Sequence, residues 1–299
     1  MRKVFITGVS SGFGKQALHL MLERGHRVIA GVRGGKQRLI ELASANLSDK
    51  RLLTHLESGQ LLAVDLHMQD TKTFQALTTI IEKDFSGQLD VLINNAGFGF
   101  VAPLEAMNEK DLRYQMDVNF TGPACLIQSC LPYLKKKGGR IINVSSIMGI
   151  ITFPFYSAYC ASKYALEGFS EALHYELKPF GVDVCLIEPG AFKTDFLNTA
   201  VKQNQSLQSH PDYQLRMSQF NNFLQAQAHH QGDPAVVAHL LCNYVDSPTV
   251  PLRRPVGVDG YAMAIVNRII PKWIYASAVN LFFKLAVFRG RPSVAAEHL

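Results

Sequence analysis

Tyr159 and Lys163 stand four residues apart in the run Tyr159-Cys160-Ala161-Ser162-Lys163, at the start of a helical pattern from Ala158 to Leu177. Residues so spaced on a helix share a face, one turn apart. A free phenol has a pKa of about 10 and is a poor base at neutral pH. An ammonium about 4 Å away, at an effective dielectric of roughly 20, favours the phenolate by about 4 kcal/mol, or about three pKa units. The pair therefore offers a tyrosine that can give and take protons, tuned by a lysine. Ser146 follows the β-branched run Ile141 to Val144, where its hydroxyl can hydrogen-bond a carbonyl oxygen as charge develops on it. Ser145 competes for that role. Tyr156 has no lysine four residues on, because Cys160 stands there, and it reads as pocket lining or packing.

A second constellation lies at the N-terminus. The β-branched run Val4 to Thr7 leads into Gly8-Val9-Ser10-Ser11-Gly12-Phe13-Gly14, followed by an amphipathic helical run from Lys15 to Arg24. Glycines are needed where a chain turns sharply and its backbone approaches a pyrophosphate, and the helix N-terminus then supplies free N–H donors. Sites for NAD usually place an acid near the end of the second strand to hold a ribose hydroxyl. No acid lies between Arg24 and Arg38, whereas Arg33 ends the second strand and Lys36 and Arg38 follow, so a 2′-phosphate would meet cations. This favours NADP(H) over NAD(H). The segment Gly8-Val9-Ser10-Ser11-Gly12 also fits the GxSxG nucleophile elbow of hydrolases. That reading does not require Gly14 and leaves Tyr159 and Lys163 without a task.

The elements that must carry these residues alternate. Val4 to Thr7, Arg27 to Val32, Leu61 to Val64, Val91 to Asn94, Ile141 to Val144 and Val184 to Ile187 read as six buried strands separated by helical stretches. This is the rhythm of an α/β fold with a Rossmann-type, doubly wound parallel sheet. Gly35 to Gln60 reads as a helix with a surface insertion, and Asp195 to Gly232, rich in Gln and Asn, as a loop or helical lid. The expected organisation is a single domain over 1–299: a cofactor and catalytic core to 194, a substrate lid over 195–232 and C-terminal helices over 233–299.

Taken together, these residues resemble the short-chain dehydrogenase/reductases. The glycine loop, Asp65-Leu66, Asn94-Asn95-Ala96-Gly97, Asn119, Ser146, the Tyr159 to Lys163 run, and Pro189-Gly190 with Thr194 stand in that family's order. The resemblance implies a catalytic set of Asn119, Ser146, Tyr159 and Lys163, with the family's spacing favouring Ser146 over Ser145. It implies that Asp65 contacts the adenine, that Asn95, Ala96 and Gly97 shape the central cofactor wall, and that Pro189 to Thr194 hold the nicotinamide. Lys163 would also hold ribose hydroxyls. Asn119 would kink its helix and hold a water that relays protons to Lys163. Family members commonly pair subunits through the helices carrying Asn119 and Tyr159, so a homodimer or homotetramer is expected.

Composition narrows the remainder. The chain has 299 residues, 47% hydrophobic, with a formal net charge of +6, too diffuse to indicate nucleic acid. Its five cysteines form no CxxC pair and read as small buried hydrophobes in a reducing, cytoplasmic setting. Val4-Phe5-Ile6 is far too short a run for a signal peptide. The lid's apolar residues, including Phe196, Leu197, Leu207, Met217, Phe220 and Phe223, suit an apolar substrate, and lid and tail together resemble the steroid- and retinol-dehydrogenase branch. The implied substrate is a lipophilic ketone, aldehyde or alcohol. An NADP(H)-binding sensor or scaffold without chemistry is the alternative, which an intact catalytic set argues against. In the tail, the longest uncharged run extends only from Trp273 to Phe283, where a bilayer span needs about 20 residues. Ile274, Ala278, Leu281, Phe282 and Leu285 share a helical face there. That face would pack on the core or a partner subunit. Alternatively it lies in a membrane interface, with Arg268, Lys272, Lys284, Arg289 and Arg291 near anionic headgroups.

Overall fold

The computed structural model describes residues 1–45, 49–194, 210–227, 229 and 231–288. Seven parallel strands form one sheet among them: β1 (Lys3–Thr7), β2 (Arg27–Val32), β3 (Leu61–Asp65), β4 (Val91–Asn94), β5 (Arg140–Val144), β6 (Asp183–Pro189) and β7 (Arg253–Val256). Their order is β3-β2-β1-β4-β5-β6-β7, so β1 is flanked by β2 and β4 and the winding reverses beside it. A crevice opens at the carboxyl ends of the strands at such a reversal. Val4 pairs with Val28 on one side and Val91 on the other, and the central strands are apolar on both faces because helices cover both.

One face is covered by α1 (Gly12–Glu23), α2 (Gly35–Ala45) and α3 (Arg51–Glu57), together with a later helix over Pro234–Asp246. The other carries α4 (Phe74–Asp84), α5 (Glu109–Met116), α6 (Gly122–Leu134) and α7 (Ser157–Leu177). Phe5, Ile29, Leu77, Ile81 and Leu126 are fully enclosed on this second side. The kink expected at Asn119 takes the form of a π turn, Asp117–Thr121, between α5 and α6. Of the five cysteines, Cys130, Cys160, Cys185 and Cys242 are buried and Cys125 is partly so.

The chain continues with α8 (Pro211–Gln227), α9 (Pro234–Asp246), α10 (Val258–Ile269) and α11 (Lys272–Phe282), which runs into a π turn, Phe283–Val287. The polar stretch from Gly35 forms two helices, α2 and α3, and its residues 46–48 lie outside the described residues. The first part of the lid, 195–209 with Phe196, Leu197 and Leu207, lies outside them as well, as do Arg289 and Arg291; α8 supplies the helical remainder. β7 departs from the six-strand expectation. It is an edge strand carrying Arg253, Arg254 and Pro255, a composition an edge tolerates and an apolar-run criterion passes over.

The tail also departs from its simple periodicity. Phe283 and Val287 are the buried residues, packed with Phe220 of α8, Phe153 and Phe155, whereas Ile274, Ala278, Leu281, Phe282 and Leu285 are exposed. Tyr275, Val279 and Phe283, four residues apart, form the inward face instead, and the π turn closed by Phe288 N–H donating to Phe283 O at 2.7 Å follows it. No helix among the described residues is long and apolar enough to cross a membrane.

Candidate active site

A cleft of about 510 Å³ opens at the carboxyl ends of β1 and β4. Its floor is the glycine loop. Gly8 sits at φ +72° and Gly12 at φ +56°, conformations that favour glycine. A Cβ on Gly14 would stand 2.3 Å from the Gly8 carbonyl oxygen, so the loop can fold tightly onto α1 only without one. Ser10, Ser11 and Phe13 border the same floor, and the first turn of α1 carries no acid to repel an anion.

Asn95 holds this loop in place. Its Nδ2 donates to the carbonyls of Thr7 (3.0 Å) and Gly8 (2.9 Å), while Thr7 Oγ1 accepts from the N–H groups of Asn95 (3.1 Å) and Ala96 (3.0 Å). β1 and β4 are thereby stitched together at their ends, and Asn95, Ala96 and Gly97 form part of the wall. Asp65, at the end of β3, accepts from Gly34 N–H at 2.8 Å and fixes the turn that carries Arg33, while Leu66 borders the cleft. Arg33 and Arg38 are both on the cleft wall, whereas Lys36, at the start of α2, is outside that lining. Of the three cations that follow the second strand, Arg33, Lys36 and Arg38, the two arginines are thus the ones that reach the cleft. Thr194 reaches the wall beside Gly12. Pro189 and Gly190 lie behind it, where a Cβ on Gly190 would meet the Asp259 carboxylate at 2.2 Å; that carboxylate accepts from Ala191 N–H at 2.6 Å.

Tyr159 and Lys163 come from the first turns of α7 and line the inner end of the cleft. Both are buried. A buried ladder anchors this helix to the sheet: Asn94 Nδ2 donates to Asn143 Oδ1 and Asn143 Nδ2 to Ser170 Oγ, each at 2.8 Å. Sequence reasoning missed Asn143 and Ser170. Ser146 is hydrogen-bonded to Tyr159, and its Oγ accepts from Met148 N–H at 3.1 Å. Ser145 borders the cleft with its hydroxyl beside Glu167, whereas Ser146 is outside that lining. Asn119 accepts from Phe98 N–H (3.1 Å) and donates to Phe98 O (2.8 Å) and Ser162 Oγ (3.0 Å). A Cβ on Gly97 would stand 3.4 Å from Asn119 Oδ1 and 3.6 Å from Lys163 Nζ, so glycine keeps the gap between them open.

The electrostatics differ from the simple pair expected from spacing. Burial pushes the Tyr159 phenol up, and the Ser146 hydrogen bond pulls it down only in part. Lys163 Nζ lies 5.8 Å from the centre of the Tyr159 ring and donates to Val144 O at 2.9 Å, so its charge is spent on the strand end rather than on the phenol. Burial lowers the Lys163 ammonium to about 8, against a raising influence from Glu167. Beyond Tyr159 stands an aromatic cluster: Tyr156 packs edge-on against Tyr159 and Phe220, and Phe283 packs on Phe220 and Phe223. Tyr156 is thus a packing residue.

These residues fit a dinucleotide: a glycine cradle that Cβ atoms would fill, a helix N-terminus free of acids, and arginines at the far wall. Comparison with known proteins agrees. The short chain dehydrogenase family profile matches residues 2–205. The chain is 34% identical to a 3-ketodihydrosphingosine reductase of Bacteroides thetaiotaomicron, covering 85% of this chain and 87% of that one. It is 34% identical to human 17-beta-hydroxysteroid dehydrogenase type 1, covering 84% and 76%. A solved short-chain dehydrogenase from Streptomyces avermitilis superposes with a TM-score of 0.68 at 27% identity, over 94% of this chain and all of that one. The chain belongs to the short-chain dehydrogenase family and is an oxidoreductase of the kind that acts on CH–OH groups.

Proposed function

We propose that the protein is an NADP(H)-dependent oxidoreductase acting on a lipophilic ketone, aldehyde or alcohol, steroid-, retinoid- or long-chain-like, with Tyr159 as its proton donor and acceptor. The observation that carries this is the buried Tyr159, bonded to Ser146 at the end of a glycine-floored cleft and roofed by aromatic side chains. A nicotinamide dinucleotide bound there supplies a hydride in reduction and accepts one in oxidation. In reduction Tyr159 gives its proton to the substrate oxygen, and the Ser146 hydroxyl donates a hydrogen bond to that oxygen as charge grows on it. Burial keeps the phenol protonated at neutral pH, which is the form a donor needs. Lys163 would hold ribose hydroxyls, and Asn119 a water that returns protons through the gap left by Gly97. Gly8, Ser10, Ser11, Gly12, Phe13 and Gly14 would hold the pyrophosphate, with Asp65, Leu66, Asn95, Ala96, Pro189, Gly190 and Thr194 shaping the rest of the site. Arg33, joined by Arg38 and less directly by Lys36, would hold the 2′-phosphate.

The core to 194 would bind cofactor and the segment from 195 to 232 would cover substrate. The names of two relatives, a 3-ketodihydrosphingosine reductase and a 17-beta-hydroxysteroid dehydrogenase, point the same way. Assembly as a homodimer or homotetramer, in the cytoplasm, completes this reading. One specific observation favours a contact with membrane surfaces as well: α10, α11 and the π turn after them expose Ile265, Ile269, Trp273, Leu281 and Leu285, with Arg268 and Lys284 also exposed and no acid in the chain between Asp259 and Phe288. The central test is a panel of steroids, retinoids, long-chain aldehydes and small ketones, read by NADPH absorbance. Consumption with lipophilic members is expected; failure of the whole panel would favour a sensor or scaffold.

A further inference from the structure

Beneath the catalytic pair lies a charge cluster that the reaction as described leaves unused. Glu167 is one turn beyond Lys163 on α7, on the face that carries Tyr159 and Lys163, and is 3% exposed. Glu188, near the end of β6, is 1% exposed. One cation serves both: Arg253 of the edge strand β7 pairs with Glu167, with Glu188 at 3.2 Å and with Glu171 at 2.8 Å. Just past β5, the Ser145 hydroxyl faces Glu167. A Cβ on Gly149 would approach Glu167 Cγ at 2.8 Å, so glycine there makes room for this carboxylate. Two buried acids sharing one arginine are costly to fold, since desolvation is repaid only by close pairing.

We propose that Glu167, held by Arg253 one helical turn from Lys163, is a positioning residue whose carboxylate favours the charged form of Lys163 without touching it. The inference rests on the reading that Tyr159 and Lys163 carry the chemistry. Lys163 is enclosed, its Nζ donates to a neutral carbonyl, Val144 O, and its other polar neighbour across the Gly97 gap, Asn119, is neutral as well. Glu167 is therefore the acid whose charge opposes the desolvation of the ammonium. Burial and the neighbouring Glu188 push the Glu167 carboxyl up to about 7, while Arg253, Ser145 and Lys163 pull it down. Ser145 and Arg253 both favour its anionic form against burial and Glu188. β7 thus acts on Lys163 through the Glu167 carboxylate.

The test is Glu167→Gln, with the Lys163 Cε resonance followed by NMR against pH in protein without cofactor, assigned by its loss in Lys163→Met. The Lys163 midpoint should fall by about one pH unit, a tenfold gain in acidity, and the alkaline limb of kcat for reduction should fall with it while KM changes little. Arg253→Gln should move both in the same direction and carries the test if Glu167→Gln does not fold. A midpoint that stays in place, whatever happens to turnover or melting temperature, overturns the proposal. A midpoint that moves in a protein with no turnover on any substrate supports the pairing and overturns the reaction assignment instead.

Discussion

Ser146 is hydrogen-bonded to Tyr159, while Ser145, its neighbour in sequence, turns its hydroxyl to Glu167 on the other side of the strand end. Adjacent residues of an extended chain face opposite ways, so the two hydroxyls have different neighbours, although Ser145 itself borders the cleft. Ser146→Ala removes a donor aimed at the developing oxyanion and should lower kcat by roughly 10²- to 10³-fold. Ser145→Ala should lower it much less. Steady-state NADPH oxidation on the best substrate of the panel checks both, and equal losses would unseat the assignment of Ser146.

Tyr159→Phe should leave NADPH binding, read by nicotinamide fluorescence, near normal while cutting turnover by about 10²- to 10⁴-fold. The pH profile has a definite sign. Burial lowers Lys163 to about 8, so its ammonium is present below that pH and lost as pH rises through it. Reduction should accordingly fall on the alkaline side near pH ~8, although an ordinary lysine titrates near ~10.4. A plateau extending past pH ~10 would contradict a buried, catalytic ammonium.

The six apolar strands and the glycine loop were legible because period and turn chemistry are local properties of the chain. β7 was not, since an edge strand can carry Arg253, Arg254 and Pro255 without burying an apolar face. At the site, the spacing of Tyr159 and Lys163 gave the pair but not its electrostatics: helical spacing does not say that Lys163 donates to Val144 O, nor that burial outweighs its charge at the phenol. Glu167 and Arg253 lie 86 positions apart, and only the packing of β7 beside β6 brings them together.

Arg33 and Arg38 share the cleft wall near the turn held by Asp65. Charge-assisted bonds from either guanidinium to a 2′-phosphate have no counterpart with NAD(H). Arg33→Ala and Arg38→Ala should each weaken NADPH binding by on the order of 10-fold or more and NADH binding far less. Fluorescence titration with both cofactors decides it. Equal losses for the two would remove the phosphate reading, and Lys36→Ala, outside the lining, should have the smallest effect.

Phe283 joins the tail to the lid helix. It is 3% exposed and meets Phe220 at a ring-centre distance of 6.0 Å, Phe223 at 6.2 Å and Phe153 at 6.0 Å. Truncating a buried phenylalanine typically costs about 3–5 kcal/mol through lost contacts and the cavity left behind. Phe283→Ala should lower the melting temperature and, by loosening α8 over Tyr159, raise KM for bulky lipophilic substrates more than for small ketones. A variant that melts lower with an unchanged ratio of the two KM values would confine Phe283 to a structural role.

The outward side of the same tail makes the opposite demand on its surroundings. Leu281 is 56% exposed, Leu285 62% and Trp273 73%, in the stretch 260–288 whose exposed charges are Arg268, Lys272 and Lys284. Apolar side chains flanked by cations suit the headgroup boundary of an anionic bilayer, and the electrostatic part of such a contact is screened by salt. The protein should cosediment with vesicles containing phosphatidylserine, more weakly with pure phosphatidylcholine, and less at high salt than at low. Trp273→Ser with Leu281→Ser should abolish cosedimentation while leaving NADPH binding intact, because neither residue touches the cleft. If the double variant instead lowers the mass measured by light scattering and vesicles bind neither form, the exposed face is a contact between copies of the chain and the membrane reading fails.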